Sequence, residues 1–139
     1  MIRKDVEIRV RYKDTDKMGV VYHSNYIVYY EVARTELFRE LGIPYAEMEE
    51  HGVMTPILEV ESKYIAPAHY DEVITVRATI AEEPMARINI TYEVLNEAGR
   101  IINTGRTVLG FVNSETRRPC RAPQQFVEII REQLGKSAE

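Results

Sequence analysis

The sequence predicts an α+β fold in which an antiparallel sheet of about five strands wraps around one long helix. Several segments alternate apolar and polar residues with a period of two, which is the signature of half-buried strands. One run between them spaces its apolar residues by three and four, which predicts a helix with one face to bury. Short turns join most of the later strands, and this favours antiparallel pairing over a parallel βαβ arrangement.

The long helix follows the first predicted strand. That strand covers residues 6–12, and a polar stretch leads from it to Ser24 or Asn25, either of which can cap the start of the helix. The apolar stripe of the helix consists of Tyr26, Tyr30, Ala33, Leu37 and Leu41. Gly42 and Pro44 are predicted to end it, because glycine favours helix termination and proline cannot continue a helix.

Most of the remaining chain has the pattern of strands. After a short helical piece at residues 45–50, four strands are predicted at residues 58–64, 74–80, 88–94 and 101–112. Pro123 then starts a short amphipathic helix on which Phe126, Ile130 and Leu134 share a face. A single long helix leaves edges and an outer face of such a sheet uncovered. We therefore expect a second copy of the chain to pair with it.

Length and composition favour one soluble domain that spans residues 1–139. The chain has 139 residues, of which 45% are hydrophobic and 29% charged. No segment approaches the roughly 18 consecutive apolar residues of a membrane helix, so membrane insertion is not expected. The net charge is −4 and the basic residues are scattered, which argues against nucleic-acid binding.

The location of the protein is predicted to be the cytoplasm. Residues 1–7 mix charged and apolar side chains and lack the apolar run of a secretory signal. The one cysteine, Cys120, cannot form a disulfide within the chain, which fits a reducing compartment.

Residues 11–26 contain the sequence pattern that most directly indicates a catalytic site. Two carboxylates, Asp14 and Asp16, follow the first strand, and Gly19 precedes an apolar and aromatic segment that leads into the helix. A helix N-terminus offers unpaired N–H groups and a partial positive charge, which can hold a developing oxyanion. A carboxylate one loop away can act there as nucleophile or general base. On spacing alone, the same residues could equally form a turn with solvated acids.

Residues 16–26 resemble, position by position, the signature of the 4-hydroxybenzoyl-CoA thioesterase family of hotdog proteins. That signature is an aspartate, a two-residue spacer, a glycine, two aliphatic residues, an aromatic, a variable residue or histidine, a small residue and Asn-Tyr. The similarity continues through residues 30–36, through Tyr64 with residues 67–71, and through residues 105–107, 111–112 and 118–119. The family includes small acyl-CoA thioesterases encoded near Tol-Pal genes in bacteria. The resemblance implies a hotdog fold over nearly the whole chain.

The resemblance also implies roles for individual residues. Asp16 corresponds to the catalytic carboxylate, whereas Asp14 corresponds to a position that is often acidic but is not assigned to chemistry. The backbone N–H of His23 corresponds to the group that polarises the thioester carbonyl, and the imidazole is implied to assist. Substrate contacts are expected around this site from Gly19, Tyr22, Ser24, Asn25 and Tyr26. Lys63 and Arg87, together with Arg106, are candidates to bind the phosphates of coenzyme A.

The activity implied is hydrolysis of an acyl-CoA thioester to a free acid and coenzyme A by a homodimer or homotetramer. Asp16 can attack the acyl carbon or activate a water, and the sequence leaves both routes open. No Gly-x-Ser-x-Gly motif supports an α/β-hydrolase mechanism. His51 and His69 lack metal-ligand spacing, and neither a metal nor another cofactor is expected. Two alternatives are an acyl-carrier-protein thioesterase and a non-catalytic acyl-CoA-binding module.

Overall fold

The computed structural model describes residues 1–43 and 45–137 and contains the predicted five-stranded antiparallel sheet. The strands are β1 (Ile2–Arg9), β3 (Ile57–Tyr64), β4 (Val73–Ile80), β5 (Arg87–Leu95) and β6 (Ile101–Gly110). Their order across the sheet is β1-β4-β5-β6-β3, so β1 and β3 form its two edges. The period-2 pattern explains this sheet, because alternate residues of β4 and β5 are buried.

The long helix α1 (Asn25–Glu40) packs against this sheet, with contacts to β1, β3 and β4. The predicted stripe is buried from Tyr26 to Leu37, whereas Leu41 lies beyond the last helical residue and is half-buried. Tyr29 and Phe38 are buried as well, so the buried face is wider than the stripe. The helix is therefore buried over a broader face than the stripe alone predicts.

The end of α1 follows from Gly42, as predicted. Gly42 has φ +81°, and its N–H bonds to the carbonyl of Arg39 at 3.0 Å. The next N–H, from Ile43, bonds to the carbonyl of Phe38 at 2.8 Å. These two bonds form a Schellman motif, which satisfies the last carbonyls of the helix. Pro44, the other predicted stop residue, lies outside the described residues.

A polar network lies in the core between α1 and the sheet. The rings of Tyr30 and Tyr92 stack with centroids 4.4 Å apart, and the Tyr30 hydroxyl hydrogen-bonds Ser62 and Asn103. Burial raises the pKa of Tyr30 to about 12, so its hydroxyl stays protonated. Arg34 is also buried, and its Nη1 donates to the Tyr92 hydroxyl at 3.2 Å. These bonds satisfy polar groups that would otherwise be costly to bury.

Two predicted strand boundaries were wrong. β1 begins at Ile2 and ends at Arg9 instead of covering residues 6–12, because its partner β4 begins at Val73, opposite Arg9. The predicted strand at residues 101–112 breaks at Phe111. Beyond the break, β7 (Val112–Asn113) pairs with the unpredicted strand β2 (Val53–Met54) in a separate two-stranded sheet.

Two shorter helices complete the fold. α2 (Tyr45–Glu50) follows α1, and α3 (Gln124–Ser137) ends the described chain. The predicted face of α3 is confirmed, since Phe126 and Ile130 are buried and Leu134 is half-buried against the core. Across residues 1–43 and 45–137, no helix is both long and apolar enough to cross a membrane.

Candidate active site

The motif between β1 and α1 folds into a tight hairpin that ends at the helix. An antiparallel bridge between Thr15 and Val21 closes it, through the bond from Asp16 N–H to the Val20 carbonyl at 2.9 Å and the bond from Tyr22 N–H to the Asp14 carbonyl at 2.8 Å. At its tip, the N–H of Gly19 bonds to the Asp16 carbonyl at 3.0 Å, and Gly19 has φ +76°. Glycine adopts this conformation without steric cost, so Gly19 shapes the turn that holds Asp16.

The Asp16 carboxylate is half-buried and is fixed by this turn. Its Oδ1 accepts a hydrogen bond from the N–H of Met18 at 2.8 Å, which is an Asx-turn contact. Within the described part of the chain, Oδ2 has no hydrogen-bond donor. One oxygen therefore sets the orientation of the side chain while the other remains available to a water or an acyl carbon. The cleft that Asp16 faces is lined by Tyr12, Thr15, Lys17, Gly19 and Tyr70.

The start of α1 presents unpaired N–H groups. Ser24 occupies the N-cap position, but it has helical dihedral angles (φ −70°, ψ −20°) and its side chain makes no capping bond. Across residues 1–43 and 45–137, the N–H groups of His23 and Ser24 have no acceptor. The helix dipole adds partial positive charge at the same place. The helix start thus offers two donors to a developing oxyanion, as the motif predicts for His23.

A second cleft lies beside these donors. It is lined by His23, Tyr26 and Tyr64 together with Val20, Val21, Ile65, Ala66 and Pro67. The Tyr26 and Tyr64 rings meet edge to face at 5.4 Å, and burial raises the pKa of Tyr26. The exposed Tyr22 ring stacks at a tilt 4.4 Å from the His23 ring. Aromatic side chains therefore surround the predicted carbonyl site.

Asp16 and His23 open into different clefts in a single chain. Among the residues that the structure describes, none lines both the cleft of Asp16 and the cleft of His23. The segment between them, Val20 and Val21, pairs with the 68–69 turn through the Val20–His69 bridge and a bond from Val21 N–H to the Ala68 carbonyl. The hairpin thus brings both residues to one end of α1 without placing them in one pocket.

Asn25 and Asp14 anchor the hairpin to the helix. The Asn25 side-chain amide donates to the Asp14 carbonyl at 2.8 Å, so this amide is engaged by the protein. The Asp14 carboxylate accepts a bond from the Tyr29 hydroxyl at 3.0 Å. Burial, with a further contribution from Asp14, raises the pKa of Tyr29 and keeps it a donor. Sequence reasoning gave Asp14 no function and missed Tyr29, although Tyr29 lies one turn from Tyr26.

The predicted phosphate-binding residues lie on the outer face of the sheet and apart from each other. Lys63 pairs in register with Thr104 and Arg87 with Gly110, positions about 20 Å apart along β6. Both side chains are exposed. Arg106, the third candidate, donates to Glu61 at 3.2 Å and to Asn89 at 3.2 Å. Of the three, Lys63 is the one next in sequence to Tyr64, whose hydroxyl bonds to the His23 carbonyl.

Comparison with known proteins identifies the family. The profile of the thioesterase-like superfamily matches residues 10–130, which include the hairpin, α1 and all strands of the large sheet except β1. The chain belongs to the thioesterase-like superfamily. The prediction of an enzyme that hydrolyses thioesters is thereby confirmed.

Relatives resemble most of the chain, and a solved thioesterase structure resembles all of it. YneP of Bacillus subtilis is 36% identical over 120 residues, which are 86% of this chain and 87% of that protein. An acyl-CoA thioesterase, YbgC of Helicobacter pylori, is 30% identical over 130 residues, with coverage of 88% and 96%. The structure of a DHNA-CoA thioesterase from Staphylococcus aureus matches with a TM-score of 0.91 at 33% identity, covering 100% of this chain and 97% of that one. The predicted hotdog fold is confirmed.

Proposed function

We propose that this thioesterase hydrolyses an acyl-CoA thioester to a free acid and coenzyme A. The observation that carries the proposal is that one hairpin brings two groups to the same end of α1. These groups are the Asp16 carboxylate, with one oxygen that has no donor in residues 1–43 and 45–137, and the N–H groups of His23 and Ser24, which have no acceptor there. A nucleophile or general base and an oxyanion site are the two components that acyl transfer requires.

The reactivity of a thioester suits a site that offers one carboxylate and the N–H donors of a helix N-terminus. Its carbonyl is more electrophilic than that of an ester, and its thiolate leaves with little protonation. The helix N-terminus would polarise the carbonyl, while Asp16 would attack the acyl carbon or activate a water. A leaving-group acid, which an amide would demand, is not needed. The aromatic residues Tyr22, Tyr26 and Tyr64 would flank the acyl group, and Lys63 is the nearer candidate for a coenzyme A phosphate.

Thiol release from a panel of acyl-CoA substrates tests this proposal. The panel covers graded aliphatic chain lengths and aromatic acyl groups, and each member is also presented on acyl carrier protein. Turnover of acyl-CoA is the expected result. Turnover of the carrier-protein thioesters alone would indicate an acyl-carrier-protein thioesterase. Saturable binding without turnover would indicate a non-catalytic acyl-CoA-binding module and would overturn the proposal.

The subtype, extent and location of the enzyme are proposed from the sequence. The match of residues 16–26 to the signature supports the 4-hydroxybenzoyl-CoA thioesterase group and its Tol-Pal-associated members. Residues 1–139 are proposed to form one domain, since α1, α3 and the large sheet share a core. The cytoplasm is the proposed compartment, with Cys120 as a free thiol.

The enzyme is expected to form a dimer through the edge strand β3. Its edge is unpaired in a single chain, and its apolar side chains are exposed, with Ile57 at 43%, Leu58 at 46% and Val60 at 40%. Such an edge is a template for pairing with another chain. A second copy paired there would lie beside Tyr64. It would enclose the cleft of Asp16 and the cleft of His23 in one site. Light scattering at micromolar concentration should therefore report the mass of two or four chains.

A variant of β3 tests which surface forms this dimer. Val60→Glu places a charge on the proposed interface and should shift the mass toward a monomer. Glu7→Lys on the opposite edge, β1, is the matched control and should leave the mass unchanged, because Glu7 is exposed there. A wild-type protein that is only monomeric at micromolar concentration would contradict the proposal.

His23→Ala is expected to lower turnover by about tenfold or less, against at least about 10²-fold for Asp16→Asn. The reason is that the alanine variant keeps the backbone N–H at position 23 and the helix dipole, and it loses only the imidazole. Steady-state hydrolysis by the two variants, with circular dichroism to confirm their folds, measures the difference. Equal loss of activity in two folded variants would make the imidazole essential.

A further inference from the structure

The hydroxyl of Tyr64 donates a hydrogen bond to the backbone carbonyl of His23 at 2.9 Å. The contact joins the last residue of β3 to the start of α1. In a regular helix this carbonyl would accept from the N–H of Ile27, but that N–H bonds to the Ser24 carbonyl at 3.3 Å. Tyr64 therefore supplies the donor that the helix itself does not.

This bond sets the direction of the Ser24 N–H. The His23 carbonyl and the Ser24 N–H belong to one planar trans peptide, so they point in opposite directions. The preceding peptide is fixed in the same way, because the Tyr22 carbonyl accepts a bond from Asn25 N–H at 2.9 Å. Both carbonyls are thus held in place, so the His23 N–H points away from Asn25 and the Ser24 N–H points away from the Tyr64 hydroxyl. Donation to the carbonyl also polarises the peptide and strengthens its N–H as a donor.

Tyr64 lies at the surface, so the loss of its hydrogen bond to His23 is not expected to disturb the core. The side chain is 51% exposed, and its ring contacts the rings of Tyr26 at 5.4 Å and His23 at 6.5 Å. It lines the cleft beside the helix start. Removal of its hydroxyl leaves these ring contacts in place. The effect of the hydroxyl on the peptide can therefore be measured without unfolding the protein.

We propose that Tyr64 is a positioning residue that holds the His23–Ser24 peptide so that the Ser24 N–H acts as a second donor to the oxyanion. This inference rests on the proposed thioesterase reaction. A second donor aimed at the oxygen stabilises the charge that develops in the transition state more than it stabilises the bound substrate. Its loss should appear in kcat and not in KM.

Tyr64→Phe tests the proposal. We expect kcat to fall by about tenfold, which is less than the 10²- to 10³-fold caused by deleting an oxyanion donor outright, with KM changed less than about twofold. In the Asp16→Asn background, which should retain bound substrate, the infrared stretch of the thioester carbonyl should move toward its value in water when Tyr64 is replaced. The melting temperature should stay close to that of the wild type.

Tyr92→Phe is the matched control, because it removes a hydroxyl bonded to Arg34 and Thr107 in the core. It should lower the melting temperature and leave kcat and the carbonyl frequency unchanged. Unchanged kcat in Tyr64→Phe, or a raised KM at constant kcat, would overturn the positioning role while leaving the thioesterase proposal intact. A wild-type enzyme without turnover of any panel member would overturn both.

Discussion

Asp16→Asn is expected to reduce thioester hydrolysis by at least about 10²-fold, and by more if Asp16 attacks the acyl carbon directly. Asparagine keeps an oxygen in the place of Oδ1, so it can still accept the bond from Met18 N–H that shapes the turn. The second oxygen is replaced by an NH2 group, and the negative charge of the carboxylate is lost. The fold and the capture of substrate should therefore survive while the attacking or activating group disappears.

Three measurements distinguish loss of chemistry from loss of structure. Steady-state hydrolysis should collapse, whereas the melting temperature and the affinity for a non-hydrolysable acyl-CoA analogue should change little. Asp5→Asn provides a matched control, since it removes a surface carboxylate whose only ion-pair partner in residues 1–43 and 45–137 is Arg77. Such exposed pairs contribute about 0–1 kcal/mol, so this variant should keep full activity. If Asp16→Asn retained more than about a tenth of wild-type turnover, Asp16 could not be the central group.

The elements that the sequence predicted well are those whose pattern repeats over many residues. β4 and β5 alternate buried residues with more accessible ones along their full length, and Gly42 ends α1 through a local motif. The two-residue strands β2 and β7 carry no such signal, because two residues cannot display a period. The local sequence pattern could not predict where β1 ends either, because that depends on where β4 begins.

The wider burial of α1 has a tertiary cause. Tyr29, Arg34 and Phe38 fall outside the predicted stripe and are nevertheless buried. The hairpin covers Tyr29, whose hydroxyl donates to the Asp14 carboxylate, and α3 covers Phe38, whose ring meets that of Phe126 edge to face at 5.6 Å. The guanidinium of Arg34 is tolerated there because the Tyr92 hydroxyl, contributed by β5, accepts its hydrogen bond.

In the candidate site, too, the sequence predicted the local features and not the contacts between distant segments. The motif located Asp16, Gly19 and the helix start, because these lie on one continuous segment. It could not show that Asp16 and His23 open into different clefts, since spacing along the chain does not give side-chain direction. Nor could it show the bond from Tyr64 to His23, whose partners are far apart in sequence. Contacts of that kind depend on the register of β3 with the rest of the sheet.

Gly105→Ala is expected to destabilise the fold by about 1–3 kcal/mol, which corresponds to a fall in melting temperature of up to roughly 10 °C for a chain of this size. A β-carbon at position 105 would overlap the ring and hydroxyl of Tyr30. That ring cannot move aside easily, because it is fully buried, stacked on Tyr92 and hydrogen-bonded to Ser62. Either the stack or the polar network must shift, and thermal melting at fixed protein concentration measures the cost.

Gly135→Ala in α3 is the matched control with the opposite expected sign. A β-carbon there meets open space, and alanine favours a helix interior over glycine by roughly 0.5–1 kcal/mol, so this variant should melt slightly higher than the wild type. The contrast isolates the contact with Tyr30 from the general effect of adding a methyl group. An unchanged melting temperature for Gly105→Ala would show that the Tyr30 ring can yield, and that the close approach of β6 to α1 does not depend on glycine.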